Sequence, residues 1–144
     1  MAVREKPPTW FWVVSVLLLI WAMIGVAMFY RQLTLNQAAL AAMSDYDRSL
    51  FARLPSWFIY DFALATLTGL VAALLMLLRS AIAMPLYLLS LIGVITQFGW
   101  LLGATDIIAV KGVGGAAIGP FIIFTVSVFA LWVAIIARGR RWIA

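Results

Sequence analysis

The chain has 144 residues, is 67% hydrophobic, carries a formal charge of +5, and contains no cysteine and no histidine. Its mean hydropathy of +1.14 makes a bilayer its natural solvent, since a soluble domain is only about 45–50% apolar. The absent residue types exclude disulfides, thiolate metal sites, a cysteine nucleophile and a histidine general base, and remove the commonest axial haem ligand.

Four apolar stretches dominate, at residues 10–30, 57–78, 84–105 and 117–137. At 1.5 Å per residue, about 21 residues cross a hydrocarbon core of roughly 30 Å. The predicted fold is a single all-α membrane domain over residues 1–144. Four transmembrane helices form an antiparallel bundle, with short amphipathic helices in the first outer loop.

The first stretch follows Arg4 and Lys6, as a signal peptide would. It is longer than an h-region of about 7–15 residues, and bulky Phe29, Tyr30 and Arg31 stand where small residues would mark cleavage. It is read as a retained helix. Trp10, Phe11 and Trp12 open it and Phe29 and Tyr30 close it, as anchors at headgroup level. Trp21, at mid-span, either fills the bundle interior or covers a polar pocket.

Residues 31–56 form the first outer loop. Thr34-Leu35-Asn36-Gln37 fits a capping box, with Thr34 as N-cap and Gln37 reaching back. Ser44 can cap a second short helix, which Pro55 stops. Leu40, Met43, Tyr46 or Asp47, Leu50 and Leu54 recur at helical spacing. Two short amphipathic helices are expected, lying on the membrane surface or capping the bundle. This is the extramembrane element large enough to recognise a partner.

Trp57, Phe58 and Tyr60 open the second span, and Asp61 is the one carboxylate within any span. It reads as a headgroup-level acid favoured by the positive helix N-terminus and paired with Arg31 or Arg53. The sharper alternative is a proton or cation site. The turn after Leu78 is short, so spans two and three should form a hairpin. Pro85 falls in the first turn of the third span, where its missing N–H is not needed. Gln97, beside Thr96, is the most polar group near the middle of that span. It either lines a small polar pocket, with Ser90 or Ser15, or makes an interhelical hydrogen bond.

Small residues recur every four positions: Ala65, Gly69 and Ala73, then Gly99 and Gly103, then Gly115 and Gly119. Such faces admit close helix approach, inside the bundle or at an oligomer or partner seam. Residues 106–116 are expected to form a flexible outer turn. Its Lys111-Gly112-Val113-Gly114-Gly115 has the wrong order for a phosphate-binding loop. Ser80, Thr125 and Ser127 are hydroxyls that can bond back to their own helix, and Trp132 and Trp142 mark the inner end of the fourth span. Six basic residues against four in the short loops and tails favour both termini in the cytoplasm.

Several segments resemble one group of small four-helix membrane proteins of alphaproteobacteria, often given the automatic label "sugar transporter". They are Trp21-Ala22-Met23-Ile24-Gly25-Val26, Gln32, Met43-Ser44-Asp45-Tyr46-Asp47-Arg48-Ser49-Leu50-Phe51, Pro55-Ser56-Trp57, Leu77-Leu78-Arg79, Pro85 and Leu89-Ser90-Leu91-Ile92-Gly93-Val94. The resemblance covers nearly the whole chain and implies a multi-pass protein of the bacterial inner membrane. Ala22 departs from the group, which has a polar Asn there, and this weakens a polar site built on the first helix.

The residues contain no catalytic constellation, no cofactor-binding pattern and no metal-ligand spacing, so no enzyme is expected. The chain lacks the first-helix Glu of small multidrug exporters and the outer-loop cysteines of tetraspanin-like organisers. The expected function is an accessory or scaffold subunit packed against a larger membrane complex. The alternative is a small-solute, sugar-like transporter or channel acting as an oligomer. Expected partners are the lipid bilayer and a membrane protein or further copies of this chain, not nucleic acid. The candidate polar and packing positions are Asp61, Gln97, Trp21, Gly69, Gly99 and Gly103.

Overall fold

The computed structural model describes residues 3–144. Six helices follow one another: α1 (Thr9–Leu33), α2 (Gln37–Ala42), α3 (Asp45–Ala52), α4 (Phe58–Leu77), α5 (Ala83–Ala104) and α6 (Ile107–Gly139). No strand occurs among the described residues. Helices α1, α4, α5 and α6 are each long and apolar enough to cross a membrane, and the chain is a multi-pass membrane protein.

The first three spans fall where the apolar stretches place them, but the fourth begins ten residues earlier. The flexible turn expected over residues 106–116 is largely helix: Ile107 starts a turn that runs to a break at Gly112, and the spanning part continues from there. Gly112 has φ 74° and ψ 168°, a conformation open to glycine and hostile to other residues. The glycine cluster therefore marks a kink between a short collar turn and the span.

Helix α1 packs on α4, α4 on α5, and α5 on α6. Helices α1 and α6 are not among the closely packed pairs, so the bundle is an open series. Its densest core lies at the end where the two chain tails meet, around Phe11, Met76, Val133 and Ile143. Trp142 belongs to that core. Expected as a headgroup anchor, it is buried, edge-on to Trp10 at 5.3 Å and to Phe11 at 5.8 Å between ring centroids.

Backbone and side-chain bonds lace this tail end shut. Arg79, in the α4–α5 turn, donates from Nε to the Trp142 carbonyl at 2.8 Å and from its terminal nitrogen to the Glu5 carbonyl. Its own carbonyl accepts from Ala144 N at 3.1 Å, and Ala81 N donates to the Ala144 carbonyl at 3.1 Å. Glu5 N donates to the Arg141 carbonyl at 2.9 Å. Arg79 and Arg141 both have φ 59°, a left-handed backbone that costs roughly 1–2 kcal/mol outside glycine. Charge-assisted bonds to otherwise unpaired carbonyls offset that strain.

At the opposite end, α2 and α3 cap the bundle. The expected capping box is not the one used. Thr34 ends α1, its hydroxyl donating to the Tyr30 carbonyl at 2.8 Å, and Asn36 caps α2 by accepting from Ala39 N at 2.8 Å. Asparagine is as good an N-cap as threonine, and α1 simply runs three residues further than its hydropathy suggests. Ser44 caps α3 as expected, accepting from Asp47 N at 3.1 Å. Leu40, Met43, Tyr46, Asp47, Leu50 and Leu54 are all half-buried, which confirms the inward face of the loop.

This loop is tied to the collar at the start of α6. Lys111 Nζ lies 2.5 Å from the Asp47 carboxylate, and the Tyr46 hydroxyl donates to Asp106 Oδ1 at 2.9 Å. Arg53 reaches the same Asp106 oxygen at 3.4 Å. The Lys111 ammonium holds the Asp47 carboxyl below its ordinary value, and the Tyr46 hydroxyl and Arg53 do the same for Asp106. A depressed carboxyl stabilises the fold above its ordinary value, about 3.8 here, and ceases to do so as the pH falls through the lower folded value. Amides of α3 should therefore exchange hydrogen faster at about pH 3 than at about pH 5, after correction for the intrinsic rate. Equal corrected rates, read by mass spectrometry on the 45–53 segment, would refute the tie.

Candidate functional site

In the half of the bundle away from the tails, the four spans line a partly open cavity of about 330 Å³. Its wall is mostly apolar, with Leu18, Met28, Phe62, Val94, Ile123 and Val126 among the lining residues. Polar groups reach it from three helices: Thr66 on α4, Tyr87, Ser90 and Gln97 on α5, and Ser127 on α6. No lysine, arginine, aspartate or glutamate lines it.

The α5 contribution follows from spacing. Tyr87, Ser90, Val94 and Gln97 stand three, four and three residues apart, which places them on one helix face. All four are buried. The Ser90 hydroxyl donates across to the Ala65 carbonyl of α4 at 2.6 Å. Gly69 makes room for it, because a Cβ there would lie 3.1 Å from Ser90 Oγ. Gly93 lets the two backbones meet, because its Cβ would lie 3.0 Å from Ala65 Cβ and 3.2 Å from Ala65 Cα. The interhelical hydrogen bond expected of Gln97 is thus made by Ser90.

Most of the remaining polar capacity is spent locally. Thr66 donates to the Phe62 carbonyl and Ser127 to the Ile123 carbonyl, both at 2.8 Å. Two groups stay unspent. The Tyr87 side chain is 6% exposed and its hydroxyl has no partner. Gln97 is 7% exposed, and its carboxamide makes no protein hydrogen bond among the described residues. Buried polar groups are normally satisfied, so each of these requires an explanation; the Tyr87 oxygen is sealed from the cavity, and Gln97 is the one that can meet a guest.

Trp21 lines the cavity at its edge and remains 38% exposed. It covers the pocket and does not fill the interior. The structure thus brings Gln97, Trp21, Gly69 and Ser90 to one place. Ser15 does not join them: it is fully buried in α1, its hydroxyl without a partner, outside the cavity lining. Asp61 also lies apart. It sits half-buried in the first turn of α4 with Oδ2 unpartnered. Neither expected arginine pairs with it among the described residues, and Arg53 is engaged with Asp106. Gly99 and Gly103 are exposed, and a Cβ on either would meet nothing within 4 Å. They take no part in internal packing.

No protein family, curated protein or solved structure matches this chain. The site must therefore be read from its own chemistry.

That chemistry discriminates between guests. A buried hydroxyl without a hydrogen-bond partner costs roughly 1–3 kcal/mol on protein scales. A hexose carries several, and the wall offers one unspent side chain, Gln97. An ion would meet no opposite charge, and its desolvation would go uncompensated. A molecule that is largely apolar, with one neutral hydrogen-bonding group, fits both the lining and the leftover donors.

Residue spacing contained part of this site. Gln97 and Ser90 stand out as polar residues in an apolar span, but Tyr87 escapes attention as one more aromatic near a helix end. The signal that finds it is the shared face with Ser90 and Gln97.

Proposed function

We propose that this chain is a non-catalytic, multi-pass inner-membrane protein that holds a small, uncharged, mostly apolar guest within the thickness of the bilayer. Both termini lie in the cytoplasm, in keeping with the bias of basic residues. The observation that carries this reading is Gln97, a residue 7% exposed whose carboxamide makes no hydrogen bond within the protein, on the wall of a cavity of about 330 Å³. Ligand pockets span about 300–1,000 Å³ and combine apolar walls with a few convergent polar groups. The accessory role expected from the sequence is retained, with a guest added: the protein stores or presents the molecule to a membrane partner. Transport of a sugar is disfavoured by the dry wall.

The test is photolabelling of the full chain in lipid vesicles with a compact aryl-diazirine alcohol. Label should appear on peptides carrying Trp21 and Gln97. It should be lost in Ala22→Phe, which places a ring in the free space. Hexose uptake into the same vesicles should equal that of protein-free controls. Label confined to lipid-facing side chains, or uptake of hexose above control, would overturn the reading.

A further inference from the structure

We infer that the guest is an uncharged single-chain lipid that reaches the cavity sideways from the bilayer, between α1 and α6. This rests on the binding role proposed above and narrows it by shape, route and head chemistry.

Shape comes first. Tyr87 and Gln97 lie ten residues apart on α5, a rise of about 15 Å along the helix. A cavity of about 330 Å³ drawn out over that length is a narrow slot. It takes one alkyl or isoprenoid chain and leaves no room for a two-chain phospholipid.

The route follows from which walls are closed. Beyond the Tyr87 end lies the tightly packed core, shut by the bonds of Arg79 to the two chain tails. Toward the loop end, Phe62 lines the cavity and packs on Phe29 at 5.6 Å. Helices α4 and α5 pack closely, as do α1 and α4, and α5 and α6. The neighbouring pair that is not closely packed is α1 and α6. The lining residues that are also exposed on the outer surface, Trp21, Ile24 and Met28, all belong to α1. In a membrane Trp21 and Ile24 face lipid near mid-depth, with Met28 closer to the headgroups, so the opening admits what is dissolved in the bilayer.

Head chemistry follows from the unspent groups. The Gln97 carboxamide has two N–H donors and an acceptor, and so satisfies an alcohol in both directions or a carbonyl in one. No charged side chain lines the slot, which rejects a carboxylate or an ammonium head. The head therefore sits at Gln97 and the chain runs along the apolar wall.

The experiment uses the full chain in vesicles, with a dodecanol bearing a mid-chain diazirine as probe. Label should fall on the α1 and α5 cavity peptides and be displaced by unlabelled dodecanol. Ionised dodecanoate should compete about tenfold less well or worse, because its charge goes uncompensated. Gln97→Leu should weaken dodecanol roughly three- to tenfold, whereas Thr96→Leu on the exposed neighbouring face should not. Because the chain lacks cysteine, a nitroxide on Ile24→Cys, a cavity-lining and exposed position near mid-span, reads the route. Lipid-dissolved oxygen should relax it, and an aqueous nickel chelate should not. Equal competition by dodecanoate overturns the head assignment, and relaxation by the chelate overturns the route. Labelling by the compact alcohol but not by dodecanol overturns this inference and leaves the binding role standing. Labelling by neither removes both.

Discussion

Gln97→Leu should make the protein more stable while weakening its hold on a guest. The Gln97 carboxamide opens onto an apolar cavity without a protein partner; a polar group in such surroundings costs up to roughly 1–3 kcal/mol, and an apolar group of similar size removes that penalty. Leucine also adds apolar surface to a wall already built from Val94 and Val126. Reversible unfolding of the guest-free protein in mixed micelles should show a gain of about 1 kcal/mol or more. Tyr87→Phe should shift stability the same way, since the Tyr87 hydroxyl is likewise buried without a partner. The direction of the change is decisive. If Gln97 served packing through an interhelical bond, removing it would lower stability by about 0.5–1.5 kcal/mol. A gain in stability joined to a loss of binding is the mark of a residue kept for its ligand. A loss of stability in Gln97→Leu would return Gln97 to a purely structural role.

The fold was legible because hydropathy acts over whole segments. Three spans emerge within three residues of their observed ends, and the inward face of the first loop follows from helical spacing. The misplaced start of α6 has a local cause. Asp106, Lys111 and three glycines lower the apolar signal of residues 106–116. The chain there is nonetheless held as a helical turn by Ile107, which is buried, and by the Asp47–Lys111 pair. That pair joins residues 64 positions apart, beyond the reach of any window of neighbours. Thr34 and Asn36 illustrate a second limit. Both are competent caps, and the choice between them depends on how far α1 extends. The cavity was legible only in outline, because hydrogen-bond accounting is tertiary. The sequence marks Gln97 and Ser90 as polar at depth, but it cannot say that Ser90 takes the Ala65 carbonyl and leaves Gln97 unpaired. The glycines show the same limit. Gly99 and Gly103 share the spacing of a packing seam yet face outward, while Gly93, outside any such repeat, sits at the tightest helix contact.

Gly93→Ala should therefore destabilise the bundle, and Gly99→Ala and Gly103→Ala should not. An alanine at 93 would set its methyl 3.0 Å from Ala65 Cβ, 3.2 Å from Ala65 Cα and 3.3 Å from Ala65 N. Two of those atoms are backbone, so no side-chain rotation relieves the contact. Helices α4 and α5 must move apart. That movement stretches the 2.6 Å bond from Ser90 to the Ala65 carbonyl, one turn from the clash. Overpacking of this kind costs typically about 1–3 kcal/mol. At 99 and 103 the added methyl meets nothing, and the better helix propensity of alanine offers up to about 1 kcal/mol in the other direction. All three positions lie in α5 and share the propensity gain, so unfolding side by side should separate Gly93→Ala from the other pair by the steric cost, about 1–3 kcal/mol. A second-site change identifies the contact: Ala65→Gly removes the opposing methyl and should recover part of the loss, a coupling that a double-mutant cycle measures. Because Ala65 lines the cavity, the same displacement widens the slot between α4 and α5. Gly93→Ala should then bind the neutral dodecanol probe more weakly with Gln97 untouched. Equal stability of Gly93→Ala and Gly99→Ala would mean that the α4–α5 contact is looser than these distances require.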